Sequence, residues 1–457
     1  MTHLTTRRIR RAALAALPAG LALSLGACSL DVLTPTVIQP ADAQAASALP
    51  TRLAGALGDF SVAYGGYNNS NNGDGLALIS GLFSDEFIAT DQFDTHNQLD
   101  RRIVSPVNAT NGGVLRNIMR SLVSAQGTAD AYVTAKVSAD SSVGRAQALN
   151  LVGFDFTFVA ENYCSGVPFS RIAPDGNFLY GSPISTTQML DSAIAKFTTA
   201  QTVAQGAAGG DDADFADTAR VVAQIGRGRA LLDQGKYAEA AAAVATVDRG
   251  FVYATEQSSA DPRVTNGIFS LTYLSSRYTT ANSEGTNGLN FVSANDPRLV
   301  TEPRGRSSFD NGTRLFAPKK YNDYAAPIVI ASGVEATLIR AEAALQANNY
   351  AGANGTLQLL NAVRADSGLA PLSAANTRAE QVSQLFRERA FWLFGTAHRL
   401  GDLRRLAGQY ALPVESVFPT GTYFKTGSYG TQVSLRVPEQ EGTNPNYTAA
   451  SCDPTKI

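Results

Sequence analysis

Two stretches of helix–turn–helix pattern crowded with small residues constrain this chain before anything else. In 216–247, Ala230, Leu231 and Leu232 close one helix, Gly235-Lys236-Tyr237 turns, and Ala238 to Val247 forms the next. In 330–366, Ala341 to Leu345 ends a helix, Asn348-Asn349-Tyr350 turns, and Ala353 to Val363 continues. Small side chains let helix backbones approach closely, and the turn tyrosine wedges between them. Apolar spacings of three and four predict helices over 113–137 (Leu115, Ile118, Met119, Leu122, Val123) and 142–163 (Ala146, Leu149, Val152, Phe156, Val159). Further helices are expected over 51–63, 186–204 and 378–407, with a polar Gly/Asn loop at 64–74 and a break at Gly209–Asp212. Residues 251–329 are rich in Ser, Thr, Asn, Tyr and Arg and read as a loop-rich insertion with short strands. Such a segment on a rigid frame is where a binding surface usually sits. The last 45 residues or so read as Gly/Pro/Tyr loops.

The N-terminus carries an address. Arg7, Arg8, Arg10 and Arg11 form a basic region, and an apolar run follows from Ala12 to Leu25, interrupted by Pro18. Residues 1–27 therefore read as an export signal rather than a membrane span. Leu25-Gly26-Ala27-Cys28 resembles the bacterial lipobox, which implies lipid on Cys28. Residues 28–50 read as a lipidated tether and 51–457 as the folded domain, with hairpins at about 113–163, 186–247 and 330–407. No later segment is apolar enough to span a bilayer. The hydrophobic set is 44% and charged residues 17%, enough for a buried core. Without the signal, 33 basic side chains face 39 acidic ones, which argues against nucleic acid as partner. Cys164 and Cys452 either pair, pinning the C-terminal tail to the helical body, or stay separate thiols.

The two hairpins resemble tetratricopeptide units, without a regular 34-residue period between them. The segment Glu388-Arg389, Phe391-Trp392-Leu393-Phe394, His398-Arg399, Asp402-Leu403-Arg404-Arg405 resembles the C-terminal signature of the SusD/RagB family of outer-membrane nutrient-binding lipoproteins. Leu360-Asn361-Ala362-Val363-Arg364-Ala365 with Ser367-Gly368-Leu369 upstream, and Pro438-Glu439-Gln440-Glu441 with Asn444-Pro445-Asn446 downstream, resemble the family's flanking stretches. Trp392 and Thr396 stand where the family often has acids, and Ala397 stands where it usually has Gly. The resemblance implies a mainly α fold: tetratricopeptide-like hairpins forming a right-handed frame, a loop-rich ligand-binding part and minor β. With few histidines and no catalytic motif, no enzyme and no cofactor are expected. The resemblance implies a surface lipoprotein of the outer membrane, facing the exterior, that captures oligosaccharide or peptide. The expected partner is a TonB-dependent, SusC-like transporter.

The signature itself reads as structural. Val382, Phe386, Ala390 and Leu393 share one helix face and are expected in the core, with Trp392 also core rather than platform. Glu388 and Asp402 are expected to pair with Arg389, Arg399, Arg404 or Arg405, because an unpaired buried charge is costly. Ligand platforms must then be Tyr or Phe, with polar side chains for hydroxyls. The candidates are Tyr64, Tyr67, Asn68, Asp85, Phe93 and Asp94 early in the chain, and Tyr273, Arg277, Tyr278, Phe291 and Arg314 in the insertion. Asn295-Asp296-Pro297-Arg298 is expected to fix a turn. No hydrolase, phosphate-loop or metal motif appears. Two other classes stay open at this point: a lipid-anchored scaffold that binds only protein, and a glycan hydrolase using paired carboxylates, for which adjacent Asp85 and Glu86 are the obvious pair, although a solvated helix end explains them equally well.

Overall fold

The computed structural model describes residues 45–69, 73–136, 142–173, 177–209, 212–305 and 307–457. The expected signal sequence, Cys28 and most of the tether lie outside the described residues. The chain divides into two units, Met1–Ala48 and Leu49–Ile457. In the first, the described part is a 3-10 turn at Ala46–Ala48.

The second unit opens with α1 (Leu49–Gly65), so the expected tether ends two residues early, in a helix. Then come α2 (Leu76–Phe83), β1 (Phe87–Ala89), α3 (Asp94–Asp100) and the long helices α4 (Ala109–Thr134) and α5 (Val143–Asn162). Four short strands follow: β2 (Val167–Pro168), β3 (Arg171–Ile172), β4 (Phe178–Leu179) and β5 (Pro183–Ile184). They form nested antiparallel pairs, β2 with β5 and β3 with β4. Next are α6 (Thr186–Ala207), α7 (Ala213–Asp233) and α8 (Tyr237–Ala243). The insertion holds β6 (Val252–Thr255), α9 (Gly267–Phe269) continued by a π turn at Ser270–Leu274, β7 (Tyr278–Thr280), β8 (Thr301–Pro303) and β9 (Phe316–Pro318). After β10 (Ile328–Ser332) come α10 (Gly333–Gln346), α11 (Thr356–Asp366), α12 (Arg378–Trp392), α13 (Arg399–Gly408) and α14 (Val414–Val417).

Local chemistry sets several of these ends. Ser185 with Gln188 and Thr377 with Glu380 form reciprocal capping boxes at α6 and α12. Asn108 and Ser332 cap α4 and α10 by accepting backbone N–H groups. Gly235 ends α7 with φ +72, a conformation that costs glycine nothing. The helix expected over 378–407 is two helices, because Gly395 and Ala397 both take positive φ between α12 and α13. Ala397 holds φ +58 where the resemblance expects glycine, so its Cβ adds strain at that turn.

The fold is mainly α, a stack of tetratricopeptide-like hairpins. α1 packs on α4 and α5, α5 on α6, α6 on α7, and α7 pairs with α8. α10 joins α7 and α8 to α11 and α12. An aromatic spine runs through the stack: Tyr64 stacks on Phe158 at 5.0 Å, and Phe154 meets Phe197 edge-on at 5.0 Å. Gly153 and Gly226 both press on the Phe197 ring; a Cβ would lie 2.7 and 2.3 Å from it. Tyr64, expected as a platform, is fully buried and donates to Val329 O and Thr396 O. Cys164 and Cys452 are joined as a disulfide, tying the tail to the end of α5. No described helix is long and apolar enough to cross a membrane.

Ion pairs lace the signature helices into this stack. Arg389 forks onto Asp402 at 2.8 and 2.9 Å, and Arg405 reaches Asp402, Glu342 and Asp233. Arg399 forks onto Asp85, and Arg404 donates to the carbonyls of Ala160, Glu161 and Tyr163. Glu388 departs from expectation: its partners are Arg298 and Arg364, from the insertion and α11. The Asp296–Arg298 stretch thus makes its turn and also bridges the insertion to α12. Val382, Phe386, Ala390 and Leu393 are buried; Trp392 is half-buried beneath the Arg298 guanidinium. Burial tends to raise the Asp402 pKa, but the charges of Arg389 and Arg405 prevail and hold it well below the usual carboxylate range. Asp402→Ala leaves both guanidiniums buried without their shared carboxylate and is expected to cost about 3–5 kcal/mol in urea unfolding. A loss under about 1 kcal/mol would show that the pair is dispensable.

Candidate functional site

The site begins with a strand pairing. β1 runs antiparallel to β7, with Phe87 opposite Thr280 and Ala89 opposite Tyr278. Thr90 N–H extends the ladder to Arg277 O at 2.7 Å, and the Thr90 hydroxyl reaches Ser276 O. This delivers Asp91 beside Arg277 and the start of α3. Asp310 N–H donates to Thr90 O, bringing the 308–313 loop to the same edge. A third segment comes from the tail. Tyr423 donates its hydroxyl to the buried Asp100 at 2.9 Å, and an antiparallel bridge between Thr422 and Ser428 closes the loop that carries Phe424 and Lys425.

Together these segments enclose a hollow of about 580 Å³ lined by Asp91, Gln92, Asn97, Asp310, Thr313 and Lys425. Lys425 Nζ donates to Asp91 O and Asn97 Oδ1 and lies 3.9 Å from Asp310 Oδ2. Phe424 lines it and is 44% exposed; Phe93 and Phe309, each next in the chain to a lining residue (Gln92 and Asp310), are 38% and 50% exposed. The Arg277 guanidinium is buried between the latter two rings, 4.2 Å from Phe93 and 4.3 Å from Phe309. It therefore contacts both rings.

Beneath the hollow lies a buried charge relay. His96 Nδ1 is 2.7 Å from Asp91 Oδ2, and its Nε2 is 3.3 Å from Asp74 Oδ2. Tyr278 donates its hydroxyl to Asp74, and Arg277 donates to Asp91 at 3.0 Å. Burial alone would lower the His96 pKa, but the two carboxylates push it up to about 9, so the ring is an imidazolium at neutral pH. Burial tends to raise Asp91, yet the bonds from His96 and Arg277 bring it below its ordinary value. On the rim, burial raises Asp310 less than the hydrogen bonds of Ser308, Thr313 and Gly312 lower it, leaving it at about 2. Among the described residues no group of three or more His, Cys, Asp and Glu is arranged to hold a metal ion.

The model of the SusD family matches residues 335–450. Among solved structures, the chain is similar to a SusD superfamily protein from Bacteroides thetaiotaomicron VPI-5482, at 13% identity and TM-score 0.63, covering 88% of this chain and 99% of that one. It is similar to surface glycan-binding protein A from Bacteroides fluxus, at 16% identity and TM-score 0.62, covering 88% and 97%. A SusD-like protein from Bacteroides fragilis NCTC 9343 gives 12% identity and TM-score 0.63, covering 90% and 98%. No match is found among curated proteins. The chain shares the fold of these SusD-like structures, and its residues 335–450 match the SusD family.

The candidate residues separate clearly. Phe93 is exposed next to the lining residue Gln92, with the buried Arg277 guanidinium against its ring. Asp94 is exposed at the start of α3 and accepts from Gln98. Tyr67 faces a second hollow, and Asn68 is held by Thr265 and Ser270. Arg314 is exposed over Phe316. Five others are not platforms. Tyr64 belongs to the spine, Asp85 to the Arg399 ion pair, and Tyr278 to the relay. Phe291 is buried against Phe391 and Phe394, and Tyr273 is buried against Phe269. Asp85 and Glu86 are not a solvated helix end either: both are buried, and burial pushes Glu86 up to about 8.

Sequence reasoning missed Asp91, Gln92, Asn97, Phe309, Asp310, Thr313, Phe424 and Lys425. The available signal was a phenylalanine beside polar residues in loops otherwise poor in apolar side chains.

The relay makes a pH prediction. A raised histidine pKa stabilises the fold fully below the unfolded value near 6.5 and loses that contribution as pH rises through about 9. The wild type should lose on the order of 3 kcal/mol more than His96→Gln between pH 6.5 and 9.5, read from urea midpoints. Glu86 titrates in both proteins, so the difference isolates His96. Parallel profiles would mean that the relay is not charged.

Proposed function

We propose that this protein is a lipid-anchored, outer-membrane nutrient-binding protein that captures oligosaccharide at the Phe93–Phe309–Phe424 hollow and passes it to a TonB-dependent transporter. One observation carries the reading: the exposed Phe424 ring lines a hollow whose walls also carry amide, carboxylate and ammonium groups, and two more exposed rings, Phe93 and Phe309, are next in the chain to lining residues. Flat apolar faces suit the C–H surfaces of sugar rings, and the polar groups suit hydroxyls. The hollow falls within the size range of small-ligand sites. Its walls come from three segments far apart in sequence, all fixed by the frame, which preorganises the rings.

The glycan-binding name of the Bacteroides fluxus neighbour supports the ligand class. The lipobox-like Leu25-Gly26-Ala27-Cys28 supports the anchor. Acyl chains hold through apolar burial, about 0.8 kcal/mol per buried CH2, and a short tether keeps the site concentrated at a transporter mouth. Cys28→Ser should release the mature protein from the membrane fraction, and a large β-barrel channel should copurify with the wild type from detergent-solubilised outer membrane.

Calorimetry against a panel of neutral oligosaccharides tests the site. Phe424→Ala and Phe309→Ala are each expected to weaken the best ligand about tenfold, near 1.4 kcal/mol, and Lys425→Ala by a similar factor. Unchanged affinity in all three variants would move the ligand elsewhere on the molecule.

A further inference from the structure

A second hollow, of about 780 Å³, lies between the N-terminal half of α4, the loop after α1 and the tail near Pro438. Tyr67, Asn69, Arg116, Asn117, Arg120 and Arg263 are among its walls. The three arginines come from two separate elements, α4 and the 3-10 turn at Pro262–Val264. Their charge is poorly balanced. Arg120 and Arg263 share one carboxylate, Asp59, each at 4.0 Å, the outer limit of an ion pair. Arg116 is exposed. Of the acids on the walls, Asp74 is committed to His96 and Tyr278, so Glu441 and the neighbouring Asp59 face three guanidiniums. A concave site with an excess of guanidinium attracts anions, and the planar fork of each arginine matches a carboxylate or sulfate.

The remaining walls narrow the ligand further. Asn69 and Asn117 provide amide groups, and Tyr67 provides a half-buried ring carrying a hydroxyl. That combination suits a polyhydroxylated ring bearing an acid. The geometry points to a second binding site, for acidic oligosaccharides carrying carboxylate or sulfate groups, separate from the hollow that Phe424 lines. The two hollows are neighbours. Asp74 lines one, Asp91 lines the other, and the buried His96 ring bonds to both.

The test uses the full mature protein, with tetragalacturonate and a heparin tetrasaccharide as acidic probes, neutral galactotetraose as control, and tetraglutamate as an acidic peptide. The wild type should bind at least one acidic sugar tenfold or more tighter than the neutral one, and the preference should shrink between 50 and 300 mM NaCl. Arg116→Gln combined with Arg263→Gln, both at exposed positions, should reduce that affinity tenfold or more. Phe424→Ala should leave it unchanged. Binding of neither acidic sugar at millimolar concentration would overturn the proposal. So would acidic-sugar binding that Phe424→Ala abolishes and the arginine variant spares. Equal, arginine-dependent binding of tetraglutamate would overturn the assignment to sugars. Because the neutral-glycan reading of the first hollow is tested on different residues, either can fail alone.

Discussion

The structure depends on one constraint, that buried guanidiniums must meet carboxylates inside a helical stack. Arg389, Arg399 and Arg405 are buried, and each finds its acid on a different part of the chain: Asp402 within the signature, Asp85 after α2, and Glu342 on α10. A buried pair seldom adds much net stability, because desolvation offsets attraction. Its strength lies in penalising alternatives. A hairpin shifted by one turn would strand a charge, so the network fixes register where small apolar residues alone would tolerate sliding. The same logic reaches the insertion, where Glu388 on α12 holds Arg298.

The face proposed to bind ligand inherits this rigidity. Loops at 90–94, 308–313 and 422–428 contain little regular structure of their own. Their order comes from groups beneath them: Asp100 gripping Tyr423, His96 between two aspartates, and Arg277 packed against two rings. Each support is buried and charged, so each is strong in a low-dielectric interior and intolerant of removal. The side chains presented to solvent above them are consequently free to vary without disturbing the frame.

This division explains what could be read from the sequence. The hairpins at 216–247 and 330–366 were legible because helix periodicity is local: Ala230–Leu232 and Ala341–Leu345 announce themselves within a few residues. The ion-pair role of the signature was legible in kind, since acids and arginines there outnumber any solvated need. Its pairing was not, because Glu388 chose Arg298 and Arg364 over nearer arginines. The split between α12 and α13 also escaped, because Ala397 gives no hint of a left-handed backbone.

The ligand face was the least legible part, for a physical reason. Tyrosine in a polar loop looks like a platform whether its ring faces out, as Tyr67 does in part, or is sunk in a core, as Tyr64 and Tyr278 are. Burial of a loop aromatic is decided by tertiary partners, and for Tyr278 the partner is Asp74, 204 residues away. Conversely, Phe424 reads in sequence as one more residue of a Gly/Pro/Tyr tail. It comes to line the hollow because its neighbour Tyr423 reaches Asp100 across 323 residues of chain. Local pattern therefore finds the frame, while the site is written in long-range pairs between a buried acid and a loop residue. Clusters of buried, partnered acids such as Asp74, Asp91 and Asp100 are thus better guides to the ligand face than the aromatic residues themselves.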